Sequence, residues 1–371
     1  MEMKREDERG QACPGVPPLD DLSFLEPVRE GGILEHALSL PDQLRDALRI
    51  AEEVFLPPSY RGVKGVVVAG MGGSAIGGML ASAILEGELS VPMLLSRNYD
   101  IPAFVGEETL FIAVSYSGNT EETISAYETA KGRGAKIACI ASDGDLAEMA
   151  LQDGFPLVKI PTGYQPRAAI GYLFVPLLLL LAKLGLIPDK SKEVEEAAEV
   201  IEEWREELSP ECPTPDNLAK QLAERLKGKI PAIYGCEGYT GVVAYRWRTQ
   251  LNENAKAFAM SNVVPEMNHN EVVGWRFPDP ILRNFVAVFI RDPDDHPQIR
   301  RRFDLTKEIV KRYAPVYEVW PRGESKVARA LGLVFLGDMV SLYLAALNRV
   351  VAYKVEPIEW LKEQLAKGEG E

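Results

Sequence analysis

The sequence predicts an α/β protein: two similar three-layer α/β/α domains with mainly parallel sheets, joined by helices. Three observations predict it. Short, near-continuous apolar runs alternate with segments of helical period, the pattern of parallel strands covered on both faces. A charged amphipathic stretch and a Pro-rich break divide the chain near its middle, and a second strand–helix series follows. The 371 residues also make about two domains' length.

The elements follow in order. Residues 1–30 are polar, Pro-rich and poorly periodic, and read as a loose arm on the body. From Pro41, DQLRDALRIAEEVF has helical period, and Pro57-Pro58 stops it. Residues 63–69 (VKGVVVA) form a strand that meets the cluster GMGGSAIGG, with a helix through 75–85. Residues 91–96 (VPMLLS) and 110–114 (LFIAV) are strands, and the latter runs into SYSGNT and a helix over 121–131. Strands at 136–141 (KIACIA) and 157–160 complete the first series.

The most apolar stretch is 168–182 (AAIGYLFVPLLLLLA). It contains Pro176 and falls short of the roughly 18–20 residues that cross a bilayer, so it reads as a buried core helix. Residues 190–208 form a charged amphipathic helix with i,i+4 pairs, and 209–216 (SPECPTPD) break it. The second series has strands at 230–234, 284–290 and 316–320, and helices at 241–256, 325–348 and 357–366. The boundaries are an arm at 1–30, a first domain at 31–190, a helical connector at 191–228, and a second domain with a C-terminal helix at 229–371.

With 46% hydrophobic and 26% charged residues the chain is neither disordered nor collagen-like. A net charge of −14 argues against nucleic acid and polybasic membrane attachment, because both need a basic surface. The N-terminus is charged and lacks an apolar h-region, so no secretory signal is read. The four cysteines show no CxxC spacing, and the expectation is free thiols in the cytoplasm.

Two strand-to-helix loops could hold a phosphate. In GMGGSA (70–75) the glycines let backbone N–H groups approach a ligand, and the helix N-terminus adds orphan donors and partial positive charge. Gly70, Gly72 and Ala75 also fit a loose GxGxxA dinucleotide pattern. No acid ends the second strand at Ser96-Arg97-Asn98, where a nicotinamide fold wants one. Arg97 could instead receive a 2′-phosphate, so that reading stays open, as does a plain tight turn. The second loop, SYSGNT (115–120), offers three hydroxyls at a helix entrance. Its plainer reading is a helix cap by Ser117 or Thr120. Both loops follow strands of one sheet, so both face the carboxyl edge where α/β ligands bind.

GGS followed some 40 residues later by SxSGxTxE resembles the phosphosugar-binding sugar isomerase (SIS) fold. That resemblance implies Gly72, Gly73, Ser74, Ser115, Ser117 and Thr120 as phosphate ligands.

An aldose–ketose isomerase also needs a base, a group that stabilises the enediolate, and a group that opens the sugar ring. The three histidines are His36, His269 and His296. His269 lies in the polar loop PEMNHNE, where Asn and Glu neighbours could set its tautomer. His296 reads as a helix-entry surface residue and His36 as structural. With no HxH or HxxxH spacing, a zinc-dependent isomerase is disfavoured and no metal or other cofactor is expected. Glu253 sits near a predicted helix end, flanked by two amides, and Arg167 follows Pro166 at the mouth of the apolar helix. A solvated Glu and a structural Arg are the plain alternatives.

QLNENAK, PEMNHNEVVGW and GYQPRAAIGY together resemble the bifunctional phosphoglucose/phosphomannose isomerase family of archaea and bacteria. The resemblance implies Glu253 as the base between C2 and C1, and Arg167 as the partner of the cis-enediolate. It implies His269 as the ring-opening group, given across a homodimer interface. It places Ser341 where the family has a hydroxyl associated with accepting mannose 6-phosphate. The family's lysine after that hydroxyl is replaced here by Asn348 and Arg349, leaving Arg349 or Lys354 for the second cationic contact. The implied ligands are hexose 6-phosphates and the implied activity is their isomerisation, with a sugar-phosphate sensor as the alternative. The isomerase half of an amino-sugar synthase would need an ammonia source, and Cys13 is not at the terminus as a glutaminase nucleophile would be.

Overall fold

The computed structural model of the chain describes residues 17–367. The first series begins with the short helices α1 (Glu26–Arg29) and α2 (Ile33–Leu38) and the amphipathic α3 (Leu40–Glu52). It continues as β1 (Gly65–Ala69), α4 (Gly72–Leu85), β2 (Met93–Ser96), β3 (Thr109–Ser115), α5 (Glu121–Gly132), β4 (Lys136–Ala141), α6 (Gly144–Asp153), β5 (Leu157–Lys159) and α7 (Ile170–Lys183). Between the sheets in sequence lie α8 (Ser191–Leu208) and α9 (Leu218–Leu226). The second series is β6 (Ile230–Cys236), α10 (Tyr239–Glu253), β7 (Met260–Val264), α11 (Asp279–Leu282), β8 (Phe285–Ile290), α12 (Pro297–Val310), β9 (Val316–Val319), α13 (Lys326–Leu347) and α14 (Glu356–Lys367).

Every strand pairing is parallel, in two sheets ordered β2-β1-β3-β4-β5 and β7-β6-β8-β9. β1 and β3, all five and all seven residues buried, lie beside each other with Ala69 opposite Ala113. The chain leaves β1 first to one side and then to the other, so the strand order reverses between β1 and β3. That is the switch point at which open parallel sheets bind ligands.

The expected α/β/α layering holds, with one refinement. Alternate side chains of each strand face opposite layers. Val66 and Val68 of β1, and Val286 and Val288 of β8, belong to the same core. The helices α3, α4, α7, α8, α9, α10 and α13 fill that core between the two sheets. The outer faces have separate cores: α5 and α6 cover the first sheet, and α12 covers the second. The predicted connector is therefore a packed layer, in which α8 and α9 lie against α13. α13 is long and apolar enough to cross a membrane, but it is buried throughout by other elements. The apolar helix α7 is likewise buried as expected.

Among the described residues seven elements escaped the sequence reading: the short helices α1, α2 and α11, and four others. β7 (MSNVV) carries two polar residues in five, α9 follows directly on the Pro-rich break, and α6 and α12 lie in polar stretches. The described part of the arm docks on the body. Leu19, Leu25 and Val28 are fully buried, and Asp20 accepts hydrogen bonds from Thr214 and Lys220. Residues 1–16, including Cys13, lie outside the described part.

Candidate active site

The two loops expected to hold phosphate leave the ends of β1 and β3, at the switch point. They are stitched together: the Tyr116 N–H donates to Ser74 Oγ at 3.1 Å. Ser74 is buried, and with a lone pair so used its O–H remains to donate. The plain capping reading of SYSGNT does not hold. Thr120 occupies the N-cap position of α5 without a side-chain cap, and its hydroxyl pairs with Ser115 Oγ at 2.9 Å. No side chain caps α4 either, which leaves its entrance open to an anion. Ser117 is exposed and accepts from the Asn119 N–H at 3.3 Å. Glu121 and Glu122 in the first turn of α5 oppose an anion there.

Two glycines are demanded by close approach. At Gly118, φ is +73° and a Cβ would lie 1.7 Å from the Asp143 carbonyl oxygen. The Leu146 N–H donates to the Gly118 carbonyl and the Asp145 N–H to Asn119 Oδ1, so the second loop is clasped by the loop after β4. A Cβ on Gly73 would lie 2.8 Å from the Pro166 carbonyl oxygen and 3.1 Å from the Arg167 nitrogen. The first loop thus lies directly against the turn Pro166–Ala168 that carries Arg167. Tyr116 completes the connection, donating from its hydroxyl to the Pro161 carbonyl and accepting from the Tyr164 N–H.

Arg167 is 6% exposed. Its Nε donates to Asn254 Oδ1 at 2.7 Å, and Nη2 donates to the carbonyls of Ala352 at 2.9 Å and Tyr353 at 3.2 Å. Nη1 lies 3.6 Å from Glu253 Oε2, whose side chain is 30% exposed. Burial lowers the Arg167 pKa and Glu253 works against that shift. The guanidinium still stays charged. Three donors hold the group in place while one edge faces a solvent-reaching carboxylate.

The structure brings together the glycine loop, Arg167 and Glu253, and it leaves His269 elsewhere. Glu253 ends α10, whereas His269 follows β7, which starts beside that end and runs parallel to β6. The 15 residues of α10 span about 22 Å, so the two residues lie at opposite ends of the second domain. His269 is exposed, and among the described residues none forms a hydrogen bond or ion pair with its ring. His296 caps α12, as a helix-entry residue should, by accepting from the Gln298 N–H, and His36 Nδ1 meets Gln165 Oε1 at 2.9 Å.

Ser341 is fully buried and meets Asn254, reaching Arg167 only through it. Of the candidate second cations, Arg349 stacks on Phe24 and Lys354 lies 3.8 Å from Glu30. Lys256 lies nearer the pair, donating to the carbonyls of Glu253, Ala352 and Lys354. A cavity of about 500 Å³ lined by Met71, Gly72, Arg97, Asn98 and Tyr245 brings Arg97 to the first loop. A larger one, about 630 Å³ between α4, β2 and the start of α10, contains none of the predicted site residues.

Comparison with known proteins matches residues 60–152 to the SIS domain model and residues 215–365 to the model described as "Bacterial phospho-glucose isomerase C-terminal SIS domain". The "Bifunctional phosphoglucose/phosphomannose isomerase" of Caldicellulosiruptor bescii is 44% identical, over 90% of this chain and 99% of its own. The chain belongs to the SIS-domain phosphosugar isomerase family. A family relative, the "D-glucosamine-6-phosphate 4-epimerase" of Sulfolobus acidocaldarius, is 32% identical over 83% of this chain and 91% of its own. A solved structure of a hypothetical protein from Thermus thermophilus shares the fold, with a TM-score of 0.72 at 16% identity over 95% of this chain and 94% of that one.

In this SIS-domain chain the two switch points differ. The second sheet's corresponding crevice carries Glu237, Asp292, Asp294 and Asp295 where the first has hydroxyls. Burial raises the pKa of Asp292 and Asp295; Asp294 adds to the rise at Asp292 and Asp292 to that at Asp295, while Arg329 opposes it at Asp292. These carboxylates, two of them paired with Arg329, give the second crevice an acidic lining, whereas the first offers neutral donors. Among the described residues, no three His, Cys, Asp or Glu side chains group as a metal site. Sequence reasoning missed Asn254, Tyr116, Asp338 and Arg246. Asn254 and Tyr116 had a signal, since they sit in the QLNENAK and SYSGNT motifs.

Proposed function

We propose that this chain is an aldose–ketose isomerase that interconverts glucose 6-phosphate and mannose 6-phosphate with fructose 6-phosphate. The observation that carries the reading is the Arg167–Glu253 pair set against the glycine loop. The C6 phosphate is held by Gly72, Gly73, Ser74, Ser115, Ser117 and Thr120, through neutral donors and the uncapped entrance of α4. Glu253 takes the C2 proton of the aldose and returns it to C1, through a cis-enediol. The free edge of Arg167 lies beside the oxygen that gains negative charge, and its other donors are already fixed, so little reorganisation is needed. The order of proton transfer asks nothing of a metal ion.

Ring opening falls to His269. Since His269 and Glu253 lie at opposite ends of one chain's second domain, we assign the imidazole at each site to a second copy in a homodimer. The name of the Caldicellulosiruptor relative supports the pair of hexose substrates. The Sulfolobus relative favours a second reading, epimerisation of an amino-sugar phosphate, in which the same base would act at a different carbon.

A coupled assay started with fructose 6-phosphate, reading glucose 6-phosphate and mannose 6-phosphate separately and repeated with a chelator, tests the proposal. Formation of both aldoses, unaffected by the chelator, is the expected result. Binding without turnover would favour a sensor, and turnover of glucosamine 6-phosphate alone would favour the epimerase.

A further inference from the structure

Behind Arg167 lies a buried hydrogen-bond relay whose direction is set by chemistry. A guanidinium only donates, so the Asn254 amide must turn its oxygen to Arg167 Nε. Its Nδ2 then donates to Ser341 Oγ at 2.9 Å, and the Ser341 proton goes to the Asp338 carbonyl at 2.7 Å. Asn254 is 1% exposed and Ser341 is 0% exposed, so water completes none of these bonds.

The same Asp338 reaches Arg167 from behind. Its carboxylate accepts from Arg246 Nη2 at 2.8 and 3.0 Å and from Gln250 Nε2 at 2.7 Å, while Arg246 Nη2 also donates to the Arg167 carbonyl at 2.8 Å. Main chain and side chain of Arg167 are thus both tied to one residue of α13, although Arg167 belongs to the first domain.

We propose that Ser341 and Asn254 are positioning residues, which aim the Arg167 guanidinium at Glu253 and the substrate oxygens. This rests on the isomerase reading and gives the Ser341 hydroxyl a task other than leaving room at C2. Its donor and its acceptor function are both spent inside the protein. Losing the Ser341 oxygen frees the Asn254 amide to rotate and deprives Nδ2 of its acceptor, so the guanidinium loses a fixed direction. The phosphate loops are untouched.

The test is steady-state kinetics of the full-length wild type, Ser341→Ala, Ser341→Thr, Asn254→Ala and the double variant Asn254→Ala/Ser341→Ala, on both aldose phosphates. Ser341→Ala should lower kcat by about tenfold to a hundredfold, equally on both substrates, with KM little changed. Ser341→Thr, which keeps the hydroxyl, should restore kcat. The double variant should be no worse than Asn254→Ala alone, because both cut one link. If Ser341→Ala does not fold, as thermal melting would show, Asn254→Ala carries the same kinetic expectation.

A Ser341→Ala enzyme with full kcat and an altered glucose-to-mannose ratio would overturn the proposal in favour of direct selectivity. Full kcat at an unaltered ratio would overturn it outright. A wild type that turns over no hexose 6-phosphate would instead sink the isomerase reading, and this proposal with it.

Discussion

Arg167→Lys keeps the charge and removes the fork. Arg167 reaches Asn254 through Nε, two carbonyls through Nη2 and Glu253 through Nη1. A lysine ammonium is a single point and cannot span those directions. Leaving the buried Asn254 Oδ1 without its donor costs about 1–3 kcal/mol of stability. The catalytic loss is larger. At the 3.6 Å of the Arg167–Glu253 contact and an effective dielectric near 20, unit charges attract by about 4–5 kcal/mol before desolvation. Removing one preorganised partner of a developing oxyanion costs about 3–4 kcal/mol, or about 10²–10³ in kcat. Burial already lowers the Arg167 pKa, and a lysine in that place shifts far more readily, so the variant should lose further activity as pH rises. The assay is kcat and KM for fructose 6-phosphate formation across pH 6–9, beside a thermal melt. An Arg167→Lys enzyme with kcat within about threefold of wild type would refute the reasoning, because binding of the point charge alone would then suffice.

Glu253→Gln should bind hexose phosphate with unchanged affinity and lose about 10²–10⁴ in kcat, checked by calorimetry and turnover; near-wild-type turnover rules out Glu253 as the base. His269→Ala and Glu253→Gln chains are each expected to be inactive alone. When the two are mixed and refolded together, about a quarter of wild-type activity should return, since half the dimers then own one intact site; no recovery means His269 acts within its own chain or not at all. Glu318 gives a pH signature. Burial pushes its carboxyl up, but Lys307 and Arg291 outweigh that and leave the pKa below the usual 4.5. Its contribution to stability is therefore complete above about pH 4.5 and is lost as pH falls through the lower folded value. Urea melts from pH 3 to 7 should show Glu318→Gln less stable than wild type at neutral pH and converging with it in acid; parallel curves would disprove the linkage.

The layered fold was readable because buried parallel strands such as 65–69 and 110–114 are apolar on both faces, and because glycine and hydroxyl clusters end them. β7 was hidden, since Met260 and Asn262 are tolerated only at the edge position it occupies. Arg167 and Glu253 were named from family motifs, and the chain does bring them together. What turns that pair into a held geometry was not legible. Asn254 contacts Arg167 across 87 residues, and Asp338 sits on a helix whose sequence reads as uniform core. Long-range polar contacts leave no periodicity, because each partner looks like an isolated polar residue in its own segment. The opposite positions of Glu253 and His269 also emerge only once β7 is placed between them.

The core shared by the two sheets has a consequence for movement. Arg167 belongs to one half of the molecule and Glu253 to the other, and both halves bury side chains in one core around α13. That shared core resists a swing of the halves, and open space between them lies in the cavities where α4 faces α10. On the proposed reading, substrate enters a crevice whose charged walls are braced by that core, and gating is left to loops.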